Sequence, residues 1–411
     1  IESHEEDLMA RDYRLMSSDG HLEVPPERWV HRVPEKYRDR APRSITLPNG
    51  GDALLIEGQP LREANFLDLR AGRATGQWQP FGLRVEGAAG IGSPEQRIQE
   101  QDQDGLDGEV LFPAQVAGPS LWRNISHDDV YKSMIRAYND WLGEEYCPVD
   151  PDRLIGMGII PWTNVDDAIE ELEHIAKLGL KGVVLGAHPN GKSYPLPEDD
   201  RFWAAAVDMN MPVTVHVTFD RSGPREHEPT FRYPIEDPET MRRIRRPLLE
   251  WVCNFGQRPA VGIMQLVFSG VFDRFPSLQV FFAETRLGWV PFWLEHADLW
   301  YQRHIGWAEE QLGFKPLKRL PSEVIREHIL FSVQYERVAV ELRHHIGVDH
   351  IMFATDFPHI ECEWPDTKPI VEEIYANVPE DEKLKMWAGN TVKFFNLEHA
   401  PSKVKAAEVT A

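Results

Sequence analysis

Cysteine is scarce in this sequence: three residues in 411, Cys147, Cys253 and Cys362, with no CxxC pair. That excludes a disulfide framework and a thiolate zinc site, and it suits a reducing cytoplasm. Positive charge is also short, with 44 Lys and Arg against 66 Asp and Glu and a formal net charge of −22. Such a balance repels phosphate backbones and argues against nucleic-acid binding. No apolar run reaches the ~20 residues of a membrane span, and no basic-apolar-small leader opens the chain. Internal repeats and low-complexity tracts are missing too. The expectation is a cytoplasmic protein that meets neither nucleic acid nor membrane.

What is present is ordinary globular material, 42% hydrophobic and 10% aromatic. Eight apolar strand candidates recur: 13–21, 108–114, 153–162, 181–189, 211–219, 278–285, 328–334 and 350–359. Helical patterns separate most of them. In 165–180, Ala168, Ile169, Leu172, Ile175 and Ala176 fall at helical spacing, and 199–210 reads as another helix. Alternating β and α units with continuously apolar strands predict an α/β fold with a parallel sheet. Eight units predict a closed (β/α)8 TIM barrel, whose functional residues sit at strand C-termini. The rival, an open doubly wound sheet, lacks a Gly-rich phosphate loop after its first strand. One barrel domain over 1–411 is expected, with long insertions after strands one (26–94) and five (220–258) covering the mouth. A small, polar tail over 398–411 is expected to be loose.

The strand ends carry the chemistry. Strand one ends in Asp19, His21 and Glu23, strand four in His188, strand five in His216. Strand six ends in Glu284, and strand eight in Asp356 with His359 just beyond. Strands two, three and seven offer nothing comparable. Residues two apart on a strand share a face, so His21 and Glu23 can reach one ion. Each residue has a plainer reading: Asp19 or Asp356 as a helix N-cap, Glu284 as the ion-pair partner of Arg286. Eight polar residues at five strand ends are harder to explain so, because unpaired buried charges are costly and a metal compensates them.

The pattern resembles the amidohydrolase superfamily, in its decarboxylase-like branch. The similarity lies in the strand-end order and in "FSGVFDRFPSLQVFFAETRLGWVPFWLEH" (268–296), "FATDFPH" (353–359) and "MWAGNTVKFFNL" (386–397). Where the family has HxH, this chain has His21-Leu22-Glu23, and Glu284 stands where a strand-six histidine is usual. His188 takes the place of the bridging lysine of binuclear members. The resemblance thus implies metal ligands His21, Glu23, His188, His216, Glu284, Asp356 and His359, with Asp19 behind them. Seven candidates exceed what one ion needs, so two metal ions are expected. Carboxylate-for-imidazole exchange favours iron, with manganese or zinc as alternatives.

This ligand variation is similar to the TIM-barrel nonheme diiron monooxygenases of platensimycin and platencin biosynthesis. On that resemblance the leading expectation is a diiron monooxygenase, an oxidoreductase of secondary metabolism that uses O2 and a reductase. It would hydroxylate a hydrophobic small molecule, an acyl-CoA among the options, with Asp356, Glu284 and His359 as catalytic residues. Trp78, Phe81, Phe231 and Tyr233 would wall the ligand, and Arg73, Arg84, Arg225 and Arg232 would meet coenzyme A phosphates. A homodimer is expected, as in relatives of this branch. The alternatives are a metal-dependent hydrolase with Asp356 as base and a nonoxidative decarboxylase. Glu284 counts against the last, since an ionised carboxylate there repels a carboxylate substrate and donates no hydrogen bond.

Overall fold

The computed structural model of the protein describes residues 12–57, 62–63, 71, 84–113, 127–219 and 257–397. Eight parallel strands form one sheet: β1 (Met16–Leu22), β5 (Gly108–Pro113), β6 (Leu154–Ile159), β7 (Gly182–Leu185), β8 (Val213–His216), β9 (Val280–Ala283), β10 (Ile329–Val333) and β11 (Ile351–Phe353). Each pairs with its neighbour in chain order. Their residues are buried almost without exception, as expected when helices cover one face and the barrel interior the other. The sheet curls round until its edges meet. Gly20 of β1 bridges Phe357, just past β11, the His21 amide donates to Phe357 O at 2.7 Å, and the Asp356 amide donates to Asp19 O at 2.8 Å. The expected TIM barrel is therefore present, closed by a short seam between its first and last strands.

The connecting helices follow from local sequence. Asn164 caps α3 (Val165–Leu178) by accepting from the Asp167 amide at 2.9 Å. Gly179, with φ of 78°, stops it two residues short of the predicted end, because an αL residue closes the last turn. Ala168, Leu172 and Ile175 form its buried stripe. The helix predicted over 199–210 is observed as α4 (Asp200–Asp208).

The strands are shorter than the apolar runs that announce them. β7 ends at Leu185, so His188 lies in a following turn, closed by Gly191 N donating to His188 O at 2.7 Å. The first insertion contains short 3-10 turns and a small antiparallel sheet of β2 (Arg43–Thr46), β3 (Asp52–Leu55) and β4 (Arg62–Glu63). It reaches the seam: the Ala71 amide donates to Pro358 O at 3.2 Å, and Gly90 packs so close that a Cβ there would lie 2.5 Å or less from Pro358. The second insertion lies outside the described residues up to 256; Gln257 and Arg258 open helix α5 (Gln257–Ser269). The tail over 398–411, and Arg73, Trp78, Phe81, Arg225, Phe231, Arg232 and Tyr233, also lie outside them. Arg84 is described and pairs with Glu86 at 3.2 Å on the surface. Among the described residues no helix is long and apolar enough to cross a membrane.

Candidate functional site

The C-terminal ends of β1, β8, β9 and β11 gather their polar side chains at the seam. Asp19 and His21 are two apart on β1 and share a face, which the strand geometry alone requires. His216 is the last residue of β8, Glu284 follows β9 directly, and Asp356 lies three residues past β11. The backbone bends sharply at these ends. Val217, Glu284, Arg286 and Asp356 all have positive φ, between 53° and 61°, and Thr218 N donates to His216 O at 2.7 Å across Val217. A left-handed β-branched valine is costly, by about 1–3 kcal/mol. Such outliers persist where the surroundings force a side chain into a functional direction.

His21 Nε2 is the hub. It stands 3.1 Å from His216 Nε2, 3.2 Å from Asp356 Oδ1 and 3.6 Å from Asp19 Oδ1. His216 Nε2 is in turn 3.5 Å from Asp19 Oδ1 and 3.4 Å from Glu284 Oε2. Ligand atoms about 2.1 Å from a common metal lie about 3.0–3.5 Å from one another. Asp19, His21 and His216 offer atoms 3.1–3.6 Å apart, close to that spacing, and Asp356 meets the same His21 nitrogen at 3.2 Å. Two sets, Asp19/His21/His216 and His21/Asp356/His359, have metal-competent geometry among the described residues. Both Asp19 oxygens and Asp356 Oδ2 are fully buried and accept no hydrogen bond among the described residues. Buried carboxylate oxygens left this way need a counter-charge, which a cation supplies. The donor set fits a divalent metal ion.

The remaining candidates divide. His359 is held at both nitrogens, Nδ1 at 3.0 Å from Asp356 Oδ1 and Nε2 at 3.0 Å from Glu23 Oε1, and its ring stacks on His21 at 4.0 Å. Glu23 lies past the end of β1, and its Oε1 meets His359 Nε2. His359 links Glu23 to the second of the two metal-competent sets. His188 belongs to neither cluster; it stacks on Phe219 at 4.0 Å, and burial pushes its imidazole down to about 4 against a pull from Gln265. Asp19, expected behind the ligands, stands among them. The signal was available, since D-G-H has the same i, i+2 spacing as H-L-E and lies wholly inside the strand. Strand seven also contributes: Gln334, directly after β10, is buried with both amide atoms unpartnered among the described residues.

Electrostatics give the site an acid and a closed face. Burial, then the Asp356 carboxylate, push Glu284 up to about 8, against the opposing pull of His216. Burial disfavours charge on His216, yet Asp19, Glu284 and Asp356 outweigh it and raise the imidazole to about 9. Any metal at Nε2 must displace that proton. Burial and the neighbouring His359 lower His21, while His359 itself is raised well above the usual histidine value by Asp356 and Glu23 despite its burial. His216 is the most open member, with 16% of its side chain exposed, against 0% for Asp19 and Asp356. His216 and Glu284 are thus the more accessible members of the cluster. The Phe112 ring of β5 lies 5.1 Å from His216.

Comparison with known proteins identifies the family and several relatives of the chain. A family profile described as amidohydrolase matches residues 19–397. The gamma-resorcylate decarboxylase of Rhodococcus jostii is 26% identical over 323 residues, covering 74% of this chain and 87% of the relative. Among solved structures, an amidohydrolase from Mycobacterium avium superposes with a TM-score of 0.69 at 18% identity, covering 94% of this chain and all of the other. A dihydroxybenzoic acid decarboxylase from Polaromonas, solved with manganese and 2-nitroresorcinol, does so with a TM-score of 0.59 at 18% identity, covering 95% and 98%. Relatives named as decarboxylases overturn the expectation of a diiron monooxygenase and of oxidoreductase chemistry. The objection to decarboxylation treats Glu284 as an ionised carboxylate, whereas burial and Asp356 push it up to about 8.

Proposed function

The chain belongs to the amidohydrolase family, and on that footing we propose that it performs the nonoxidative, metal-dependent decarboxylation of a hydroxylated aromatic acid. The observation that carries this reading is the gathering of Asp19, His216 and Asp356 around His21 Nε2 at 3.1–3.6 Å, with buried carboxylate oxygens that have no hydrogen-bond partner among the described residues. Those four would hold one divalent ion, and oxygen-rich mixed ligation suits manganese. When bound, the ion supplies a fixed positive charge that polarises and orients the oxygens of an anionic substrate. Two carboxylates and two neutral imidazoles balance a dication, so the site does not repel a carboxylate.

The chain's own residues then have to deliver one proton to carbon. Loss of CO2 requires the ring carbon bearing the carboxyl to gain a proton while the C–C electron pair stays with the ring. Glu284 carries that proton near neutral pH because burial and Asp356 raise it to about 8. It stands beside the open side of the site, where a ring entering past His216 would lie. A general acid so poised is worth about 10²–10⁴ in rate. After transfer the Glu284 carboxylate regains its proton from solvent along the same route. His359, pinned between Glu23 and Asp356, fixes the Asp356 carboxylate and closes the opposite face. The objection that a strand-six carboxylate repels the substrate disappears once that group is protonated.

The reading is tested with the manganese-loaded chain and 2,6-dihydroxybenzoate or 5-carboxyvanillate as probes, under argon. Decarboxylated phenol is the expected product of at least one of these acids, with no requirement for O2. Hydrolytic turnover of esters or lactones with neither acid consumed would contradict it.

A further inference from the structure

Helix α1 (Pro94–Asp104) buries the wrong kind of face. Its sequence, PEQRIQEQDQD, is almost wholly polar, yet Arg97, Glu100, Gln101 and Asp104 fall at helical spacing and all are buried. An ordinary barrel helix buries an apolar stripe. Here every buried side chain on the face is committed to the barrel seam or the segments beside it. The Asp104 carboxylate accepts from the Thr367 amide at 2.9 Å, and Glu100 accepts from the Gly90 amide at 3.0 Å. Gln101 donates to Glu109 of β5 at 2.9 Å.

Arg97 is the centre of this face. Its Nη1 donates to His21 O at 3.0 Å and its Nη2 donates to Phe357 O at 3.2 Å. One rigid guanidinium thus spans both sides of the seam, one bond on β1 and one just past β11. Its Nε and Nη2 are held by Glu109 at 2.6 and 3.3 Å, and the cation lies 4.5 Å above the Phe357 ring. Arg97, Gln101 and Glu109 are each 1% exposed. Gly20, between Asp19 and His21, leaves the room: a Cβ there would meet Arg97 Nη2 at 2.8 Å and Glu109 Oε1 at 3.1 Å. A buried ion pair is a poor source of stability but a good device for fixing one geometry.

The two backbone carbonyls it bridges belong to His21 and to the residue after Asp356, whose side chains face each other at 3.2 Å. We propose that Arg97, seated by Glu109 and Gln101, is a positioning residue that sets the spacing of the His21 and Asp356 metal ligands across the barrel seam. The planar fork is required, because a lysine ammonium is a point charge and does not reproduce two divergent bonds with fixed separation. The inference rests on the metal-binding reading above.

The test is Mn²⁺ affinity, measured on the metal-free chain by titration with electron paramagnetic detection of free Mn²⁺. Arg97→Lys is compared with Ile175→Ala, a cavity variant on α3 whose side chain lies against Gly158 of β6 and not at the seam. Arg97→Lys is expected to weaken Mn²⁺ binding by about tenfold or more, the usual penalty for losing a residue that orients a ligand. Ile175→Ala is expected to lower the melting temperature and leave the affinity unchanged. A folded Arg97→Lys protein with unchanged affinity would overturn the proposal. Should that variant not fold, Gln101→Leu loosens Glu109 without touching the seam: severalfold weaker Mn²⁺ binding supports the proposal and unchanged binding overturns it. Absence of Mn²⁺ binding by the unaltered chain would instead overturn the metal-site reading, and the inference with it.

Discussion

Asp19→Asn loses divalent-metal binding while keeping the fold. Asp19 lies inside the ligand cluster with both oxygens buried and without a hydrogen bond among the described residues, and the amide substitution removes charge without removing volume. Loss of residues that merely orient ligands costs about 10–100-fold in affinity, and loss of a ligand is expected to exceed the upper figure. The measurement is metal-dependent thermal stability. Manganese at one hundred times the dissociation constant of the unaltered protein stabilises it by about 2.7 kcal/mol. At the same concentration a hundredfold weaker variant gains only about 0.4 kcal/mol. The Mn²⁺-induced rise in melting temperature should therefore almost vanish in Asp19→Asn, whereas Glu23→Gln, outside the cluster, should retain most of it. Equal shifts in all three proteins would place the metal elsewhere.

Glu284→Gln separates binding from proton delivery. The amide matches the shape and neutrality of the protonated acid, so substrate still binds and KM changes little, but kcat falls by about 10²–10⁴. The pH profile carries the sign. The active form is the protonated acid, raised to about 8 by burial and by Asp356, so kcat/KM falls tenfold per pH unit above that value. A bound dication favours the carboxylate and draws this limb downward, so in the loaded enzyme it lies at or below about 8. In Glu284→Gln the residual rate should lack the limb altogether. An unaltered limb in the variant would assign the proton to another group.

The barrel was legible because its signal is redundant. Eight apolar runs, separated by segments of helical pattern, admit few other folds, and errors of a few residues at strand ends did not alter the count. The site was legible in part. His21, His216 and Asp356 sit where strand ends converge, and reading strand termini finds them. Glu23 has the same spacing from His21 as Asp19 does, and the end of β1 at Leu22 is what sets the two apart. His188 lies outside its strand, because β7 ends at Leu185, three residues before it.

Glu284 is the instructive case. The sequence shows its identity but not the burial that, with Asp356, pushes it up to about 8. Burial next to Asp356 is a tertiary fact with no local signature, so no pattern within "FFAET" could have supplied it. Arg97 was overlooked for the opposite reason. A polar helix reads as a solvated one until its partners are known, although the near absence of apolar residues from PEQRIQEQDQD was itself a sign that the helix binds the barrel by other means.

The central claim is decarboxylation by proton delivery to carbon, without an oxidant. It is tested most directly by following 2,6-dihydroxybenzoate or 5-carboxyvanillate turnover with the manganese-loaded protein in D2O under argon, with CO2 and product analysed by mass spectrometry. The account predicts one CO2 per substrate consumed and one deuterium at the carbon that bore the carboxyl group. Turnover that needs O2, or a product that keeps its carboxyl group, would contradict it.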